Sequence, residues 1–465
     1  KYKFQLHIVA SMMLMSIGCQ SVDDRLEETM HKSVSWLWQQ QSPDGGWHSQ
    51  THTILKDGKA LTPYILFYLL QVPEDVYARP DSSVEKGLAF IRHNIRSSMT
   101  MSKDSLPQLN YPNYSAAYAL RVLCLTHQDT ALQRIIADHL LNEQFVEQRG
   151  ITPDNLAYGG WGYGEPGLAY GAHGNVDISH TRRVIESLIM YDSSLLINSS
   201  METEGQMLRP AFAHPCATAQ QPGGRAEGQK SFHRAELVEG GVGGLNTYAP
   251  LNTHLLGRQS PFEESISVKN REGDSRSHAL TLSRLFLQGV QRTPKDPRLY
   301  EGCLSRKALP YDGGFISSTV TLSINKCEPI FIEGAGYHYP SYATATCDGL
   351  LALHALGMTD TQAFSDAKQW LTSHQDMSTI DGLSKDDPEQ WHEVMHYYHW
   401  AVRAEAMTAA GIEGRWSKKL KRLLIDEQQW GGYYVNPLGG VNKENDPLMA
   451  TIFAVQAGNK VKNEK

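Results

Sequence analysis

The stretch Val34-Ser-Trp-Leu-Trp-Gln-Gln-Gln-Ser-Pro-Asp-Gly-Gly-Trp47 decides how the rest of the chain is read. It has the order of a helix end carrying Trp36 and Leu37, then Gln41, then a Gly-Gly-Trp turn. Two glycines permit the positive φ of a tight turn, and an aromatic ring can pack across neighbouring helix ends. Glutamine can bond the backbone groups that a helix end leaves open. The same order returns along the chain. Leu140-Leu-Asn-Glu-Gln144 precedes Gly159-Gly-Trp-Gly-Tyr163, and Leu285-Phe-Leu-Gln-Gly-Val-Gln291 leads to Asp312-Gly-Gly-Phe315. Leu423-Leu-Ile-Asp-Glu-Gln-Gln-Trp-Gly-Gly-Tyr-Tyr434 carries a further copy, and Trp370-Leu-Thr-Ser-His-Gln375 has the glutamine without the aromatic turn.

Between the copies lie segments with apolar residues at helical spacing: Leu61 to Leu70, Tyr114 to Leu125, Ile178 to Tyr191, Ala343 to Leu356 and Val394 to Ala409. Almost nothing alternates with the period of a strand. Helix, turn, helix, repeated five or six times, cannot bury its faces one unit at a time and should stack into a closed ring or solenoid. With 465 residues and 41% hydrophobic content the chain can bury a large core, and the repeat overrides the length prior of two or three domains.

Trp-Leu, then Gln, then Gly-Gly-Trp resembles the QW motif of squalene and oxidosqualene cyclases and the related repeats of protein prenyltransferases. The resemblance runs from about residue 30 to 457. It implies an all-α fold, an α/α toroid of inner and outer helices over residues 25–460, around a cavity that holds a polyprenyl chain in the known enzymes. Asp177-Ile-Ser-His-Thr181, Tyr311-Asp-Gly-Gly-Phe315, Tyr342-Ala-Thr-Ala-Thr-Cys-Asp-Gly-Leu-Leu-Ala352 and Asp446-Pro-Leu-Met-Ala-Thr451 are similar to helix starts in bacterial proteins of that superfamily. If helix starts face the cavity, Asp177, His180, Asp312 and Asp348 are the catalytic candidates. Trp161, Tyr163, Phe315, Tyr342, Cys347, Tyr397 and Trp430 would then supply an aromatic or soft wall for an isoprenoid or other apolar ligand. The plainer readings are that Asp177 is an N-cap, Asp312 braces a turn and Cys347 fills the core. Residues 200–275, rich in Gly, Pro, Gln and charge, read as an irregular insertion.

The resemblance has departures. Class II terpene cyclases protonate an alkene with the aspartic acid of a DxDD motif, and the chain has no DxDD; Asp23-Asp24 and Asp386-Asp387 lie before the toroid and in a loop. The zinc of prenyltransferases would leave Cys347, Asp348 and His354 as remnants, with the acid following the cysteine instead of preceding it. His392-Glu393-Val-Met-His396 matches HExxH, the zinc hydrolase pattern, which needs both histidines on one helical face. Three further functions stay open: a noncatalytic interaction scaffold, a polysaccharide-active α/α barrel, and that zinc hydrolase.

Lys1 and Lys3 precede the mostly apolar stretch Ile8 to Gly18, and Ser16-Ile-Gly-Cys19 resembles a bacterial lipobox. The expectation is a signal segment over residues 1–19, lipidation at Cys19 and anchoring in the cell envelope. The remaining cysteines are scattered without a CxxC pair, and Cys303 with Cys327 is the expected bridge. A net charge of -7 without a long basic run excludes a nucleic-acid partner of the phosphate-neutralising kind.

Overall fold

The structure, a computed structural model, describes residues 21–100, 111–165, 167–207 and 261–462. Cys19, the expected signal segment and Cys216 lie outside the described residues. The chain divides into two units, Lys1–Ile197 with Gly273–Lys465, and Asn198–Glu272.

Twelve helices of nine or more residues occur among the described residues: α1 Val22–Gln39, α2 Leu61–Leu69, α3 Asp81–Thr100, α4 Pro112–Leu125, α5 Thr130–Asn142, α6 Ile178–Met207, α7 Pro261–Gln291, α8 Ala343–Ala355, α9 Gln362–Ser373, α10 His396–Ala409, α11 Trp416–Glu427 and α12 Pro447–Val461. A small antiparallel hairpin, β1 Ile330–Ile332 and β2 Gly336–His338, pairs Phe331 with Tyr337. The second unit contains the C-terminal turns of α6 and the N-terminal turns of α7. Of the residues 200–275 expected to be irregular, 200–207 and 261–275 belong to α6 and α7, and 208–260 lie outside the described residues. Residues 201–207 hold no proline to stop α6.

Within the first unit the helices alternate between two rings. The even-numbered helices form the inner ring: every residue of α2 is buried, as is α8 from Ala343 to Leu353, which marks helices packed on all sides. Their contacts run α2–α4, then α8–α10–α12 and back from α12 to α2. Ser187 of α6 donates to Ala117 O of α4, and Arg182 of α6 pairs with Asp348 of α8, completing the circuit. The odd-numbered helices bury one stripe; α11 buries Trp416, Leu420 and Leu424, four residues apart. The fold is an all-α toroid.

Glutamines join the outer ring. Three of them donate the side-chain amide to backbone carbonyls of their own turn and of the next outer helix. Gln41 reaches Gly45 O and Ser83 O of α3; Gln144 reaches Gly159 O and Ala279 O of α7; Gln291 reaches Gly313 O and Ala363 O of α9. Gln375 reaches Glu413 O before α11, and Gln428 reaches Thr29 O of α1, so the outer ring closes head to tail. Between α3 and α5 the link is instead Arg92 to Gln128 and Arg96 to Asp129.

At three of the turns the aromatic side chain caps the helix it follows; Phe315, in the remaining one, has no donor. Trp47 Nε1 donates to Leu37 O at 2.7 Å, Trp161 Nε1 to Leu140 O at 2.7 Å, and Tyr434 Oη to Leu424 O at 2.5 Å. These carbonyls lie in the last helical turn, where intrahelical partners run out, and Leu37 O also accepts the Gln40 N–H. The glycine two residues before each aromatic has positive φ: Gly45, Gly159, Gly313 and Gly432. It also lies against the backbone or Cβ of the next outer helix; a Cβ on Gly159 would sit 2.2 Å from Leu282 O of α7.

Gly159→Ala should therefore cost roughly 3 kcal/mol or more in urea unfolding, combining left-handed strain with an overlap that backbone cannot relieve. Gly167→Ala, at φ +74° with nothing within 4 Å of the added carbon, should cost only about 1 kcal/mol. Equal losses would refute the close-approach account.

Candidate functional site

All six inner helices contribute residues from their first turns to one cavity of about 240 Å³. The lining comes largely at one-turn spacing: Leu61 and Tyr64 from α2, Tyr111 and Tyr114 at the start of α4, Asp177, His180 and Arg183 at the start of α6. Tyr342, Ala345 and Asp348 belong to the start of α8, Met395 and Tyr398 to α10, and Met449 and Phe453 to α12. Residues of the connecting loops, among them Leu55, Tyr163, Ile324, Lys326 and Lys443, complete the wall.

The aromatic turns set which helical residues arrive there. The backbone N–H of each turn aromatic donates to a threonine Oγ1 on the following inner helix: Trp47 to Thr62, Trp161 to Thr181, Phe315 to Thr346 and Tyr434 to Thr451, all at 2.9–3.0 Å. Two residues beyond those threonines stand Tyr64, Arg183, Asp348 and Phe453, each on the cavity wall.

At the start of α6, Asp177 performs two tasks. Its Oδ1 accepts the His180 backbone N–H at 2.7 Å, capping the helix, and its carboxylate holds His180 Nδ1 at 2.9 Å. Burial alone would raise the Asp177 carboxyl; the His180 ring and backbone N–H and the nearby Arg183 charge outweigh it and hold it below the ordinary value. His180 Nε2 is buried and bonds no protein atom. The ring stands edge-on to Tyr163, with centroids 4.4 Å apart.

Arg182 and Arg183, adjacent on α6, serve different layers. Arg182 is bound on three sides by Glu186 at 2.8 Å, Asp348 at 3.0 Å and Glu405, and Glu186 also holds Arg121. Arg183 lines the cavity, bonds Ser179 and Asp348, and lies over the rings of Tyr114 and Tyr398. Tyr398 Oη donates to the other oxygen of Asp348 at 2.8 Å.

Of the expected site residues, Asp177, His180, Asp348, Tyr163 and Tyr342 share this cavity. The others lie elsewhere. Asp312 braces its own turn, accepting from Gly314 N–H, Ser341 Oγ and Trp370 Nε1, beside a groove lined by Tyr311, Asp366 and His374. Trp161 and Phe315 are fully buried in the turns, Tyr397 packs on Trp400 and Tyr434, and Trp430 is fully exposed. Cys347 is buried in α8, its thiol pushed up to about 12 by burial, while His354 is exposed at the other end of that helix. Those two do not meet at a metal. In the HExxH segment the helical turn Trp391–Val394 ends before α10 begins, so the two histidines do not share a helical face; His396 Nε2 bonds Glu427. Among the described residues no three His, Cys, Asp or Glu side chains cluster as metal ligands. Cys303 and Cys327 are both free, Cys327 donating to Pro340 O, which corrects the expected bridge.

No protein-family model and no curated protein matches the chain. It is similar to solved structures of the type II terpene cyclase MstE from Scytonema. One, in complex with geranylgeranyl dihydroxybenzoate as substrate, shares 10% identity over 95% of this chain and 98% of that chain, with a TM-score of 0.47. Another, with merosterolic acid A as product, shares 10% identity over the same proportions, with a TM-score of 0.46.

Cavity residues that the sequence reading did not single out as site candidates are Tyr64, Tyr111, Tyr114, Arg183, Lys326, Tyr398 and Lys443. For Tyr64 and Arg183 the threonine register was a usable signal. Glu405, buried beside Arg182, tests the charged layer. Burial would raise its carboxyl, but the Arg182 charge and hydrogen bond bring it below the ordinary 4.5. Its stabilisation is present above pH 4.5 and is lost as pH falls through and below that value. Wild type should exceed Glu405→Gln by about 3–5 kcal/mol at pH 7 in urea unfolding, and the gap should shrink on acidification below 4.5. A gap independent of pH would refute the ionised pairing.

Proposed function

We propose that the protein binds an isoprenoid-like ligand in the central cavity and moves a proton on it through the Asp177–His180 pair. The observation that carries this reading is His180 itself: Nδ1 is held by a carboxylate, and Nε2 is without a protein partner on a wall of tyrosine and aliphatic side chains. With Nδ1–H directed at Asp177, Nε2 accepts a proton in the neutral ring and donates one in the imidazolium. Leu55, Leu61, Ile324, Met395, Met449 and Phe453 offer an apolar bed, and the tyrosine faces can stabilise developing positive charge. Asp348 serves as a positioning group, its carboxylate occupied by Arg182, Arg183 and Tyr398.

The full chain should bind farnesol or geranylgeraniol by calorimetry and convert one of them to a product seen by mass spectrometry. His180→Gln should retain binding and lose roughly 10²–10⁴-fold in turnover. If neither alcohol binds and organic extraction of the purified protein yields no lipid, the cavity reading fails; binding with turnover unaffected by His180→Gln removes the catalytic role.

We also propose export and envelope anchoring through lipid on Cys19, resting on Ser16-Ile-Gly-Cys19. Expressed in a bacterium, wild type should partition with membranes and Cys19→Ser with the soluble fraction. Identical partitioning would sink this proposal.

A further inference from the structure

The charges around the cavity do not balance locally. Arg183, Lys326 and Lys443 line it as cations, and Asp177 and Asp348 as carboxylates. Both carboxylates are already engaged, Asp177 by His180 and Asp348 by Arg182, Arg183 and Tyr398. Among the described residues neither lysine has a carboxylate within ion-pair distance.

Aromatic rings hold the two lysines instead. Lys326 Nζ lies 3.9 Å from the centre of the Trp391 ring, and Lys443 Nζ lies 5.4 Å from that of Tyr111. A ring occupies one face of an ammonium and leaves N–H donors for another partner. Burial lowers the Lys326 ammonium against the more distant pull of Asp177, Glu389 and Asp387, and Lys443 lowers it further. Two half-buried cations that repel one another are costly unless a counter-charge joins them.

The backbone supports a placed Lys443. Lys443 and Tyr111 both have positive φ, +65° and +50°, a conformation that costs a non-glycine residue about 1 kcal/mol or more. The loop is pinned one residue later: the carboxylate of Glu444 accepts the Tyr397 and Tyr398 backbone N–H groups at 3.0 and 2.8 Å, and amides of Asn436 and Asn442. On the same wall, His180 is nine-tenths buried with Nε2 unpartnered. An aromatic tether, a strained and pinned backbone and an open imidazole nitrogen together describe a built polar end to an otherwise largely apolar cavity.

We propose that the ligand ends in an anionic group, a carboxylate or phosphate, seated at Lys326 and Lys443. This rests on the ligand-cavity reading above and adds the ligand's chemical class: an amphiphile with an apolar chain and one acidic end. Arg183 is the less available cation because Asp348 already holds it.

Matched probes test it. Farnesoic acid, farnesyl phosphate and the neutral farnesol share one chain and differ at the end group. Wild-type full-length protein should bind at least one of the two acids about tenfold or more tightly than farnesol, with the preference falling as salt rises. Which acid is preferred identifies the group. Lys326→Met and Lys443→Met should each erase most of that preference, with circular dichroism and urea unfolding matching wild type to report an intact fold. Lys326→Arg should retain it. Equal binding of acids and alcohol to wild type, or a preference untouched by both methionine variants, overturns the anionic assignment and leaves the cavity reading standing. Failure of all three probes to bind overturns both.

Discussion

Carbonyl groups near the C-terminal ends of the outer helices have no partner within their own helix, and in this ring they face protein instead of water. The solution used at most junctions is a glutamine and an aromatic. Glutamine bonds across to the next outer helix, and the aromatic bonds back to the helix just finished. Both require the chain to reverse in two residues against a neighbouring helix, which only a glycine of positive φ allows. From that turn a backbone N–H reaches a threonine of the inner helix, and the rotation of the inner helix is set. Position in the cavity follows from a hydrogen bond made at its periphery.

Along α6 the polar interior separates into two layers. Arg182 with Glu186, Asp348, Glu405 and Arg121 forms a paired assembly between the inner helices. Burying such charges is tolerable because each meets an opposite one, and removing a single partner would strand the rest. One residue further, Arg183 lines the cavity. The electrostatics also bear on the missing DxDD. The two cavity carboxylates each meet a cationic or ionisable partner. Among the described residues Glu444 is a carboxyl pushed up, to about 7 by burial, yet it caps the start of α10 behind the wall.

Much of the ring was legible in the sequence. Apolar spacing located five of the six inner helices, and Asp446-Pro-Leu-Met-Ala-Thr451 located the sixth; the glutamines marked the outer helix ends. The site was read less well, for an intelligible reason. Trp161, Phe315 and Asp312 stand out because they build turns, and prominence in a repeat signals construction before ligand contact. In the last copy Trp430 precedes the glycines and points to solvent, while Tyr434, two residues after Gly432, takes the structural place. Lys326 and Lys443 lie on loops that follow no repeat, so no periodicity announces them. The HExxH pattern failed because the helix is interrupted at Met395, a detail of backbone continuity that residue spacing does not encode.

The threonine register has an evolutionary corollary. At four inner helices the anchor and the wall residue are separate side chains two positions apart, and the anchor speaks to backbone alone. The wall positions now hold tyrosine, arginine, aspartate and phenylalanine, four chemistries on one scaffold rule. Drift at Tyr64 and Phe453 can proceed without disturbing the turns, whereas Arg183 and Asp348 are mutually bonded and must change together. The ring thus behaves as a socket board of two wired pairs, Arg183 with Asp348 by charge and Tyr64 with Phe453 by ring packing.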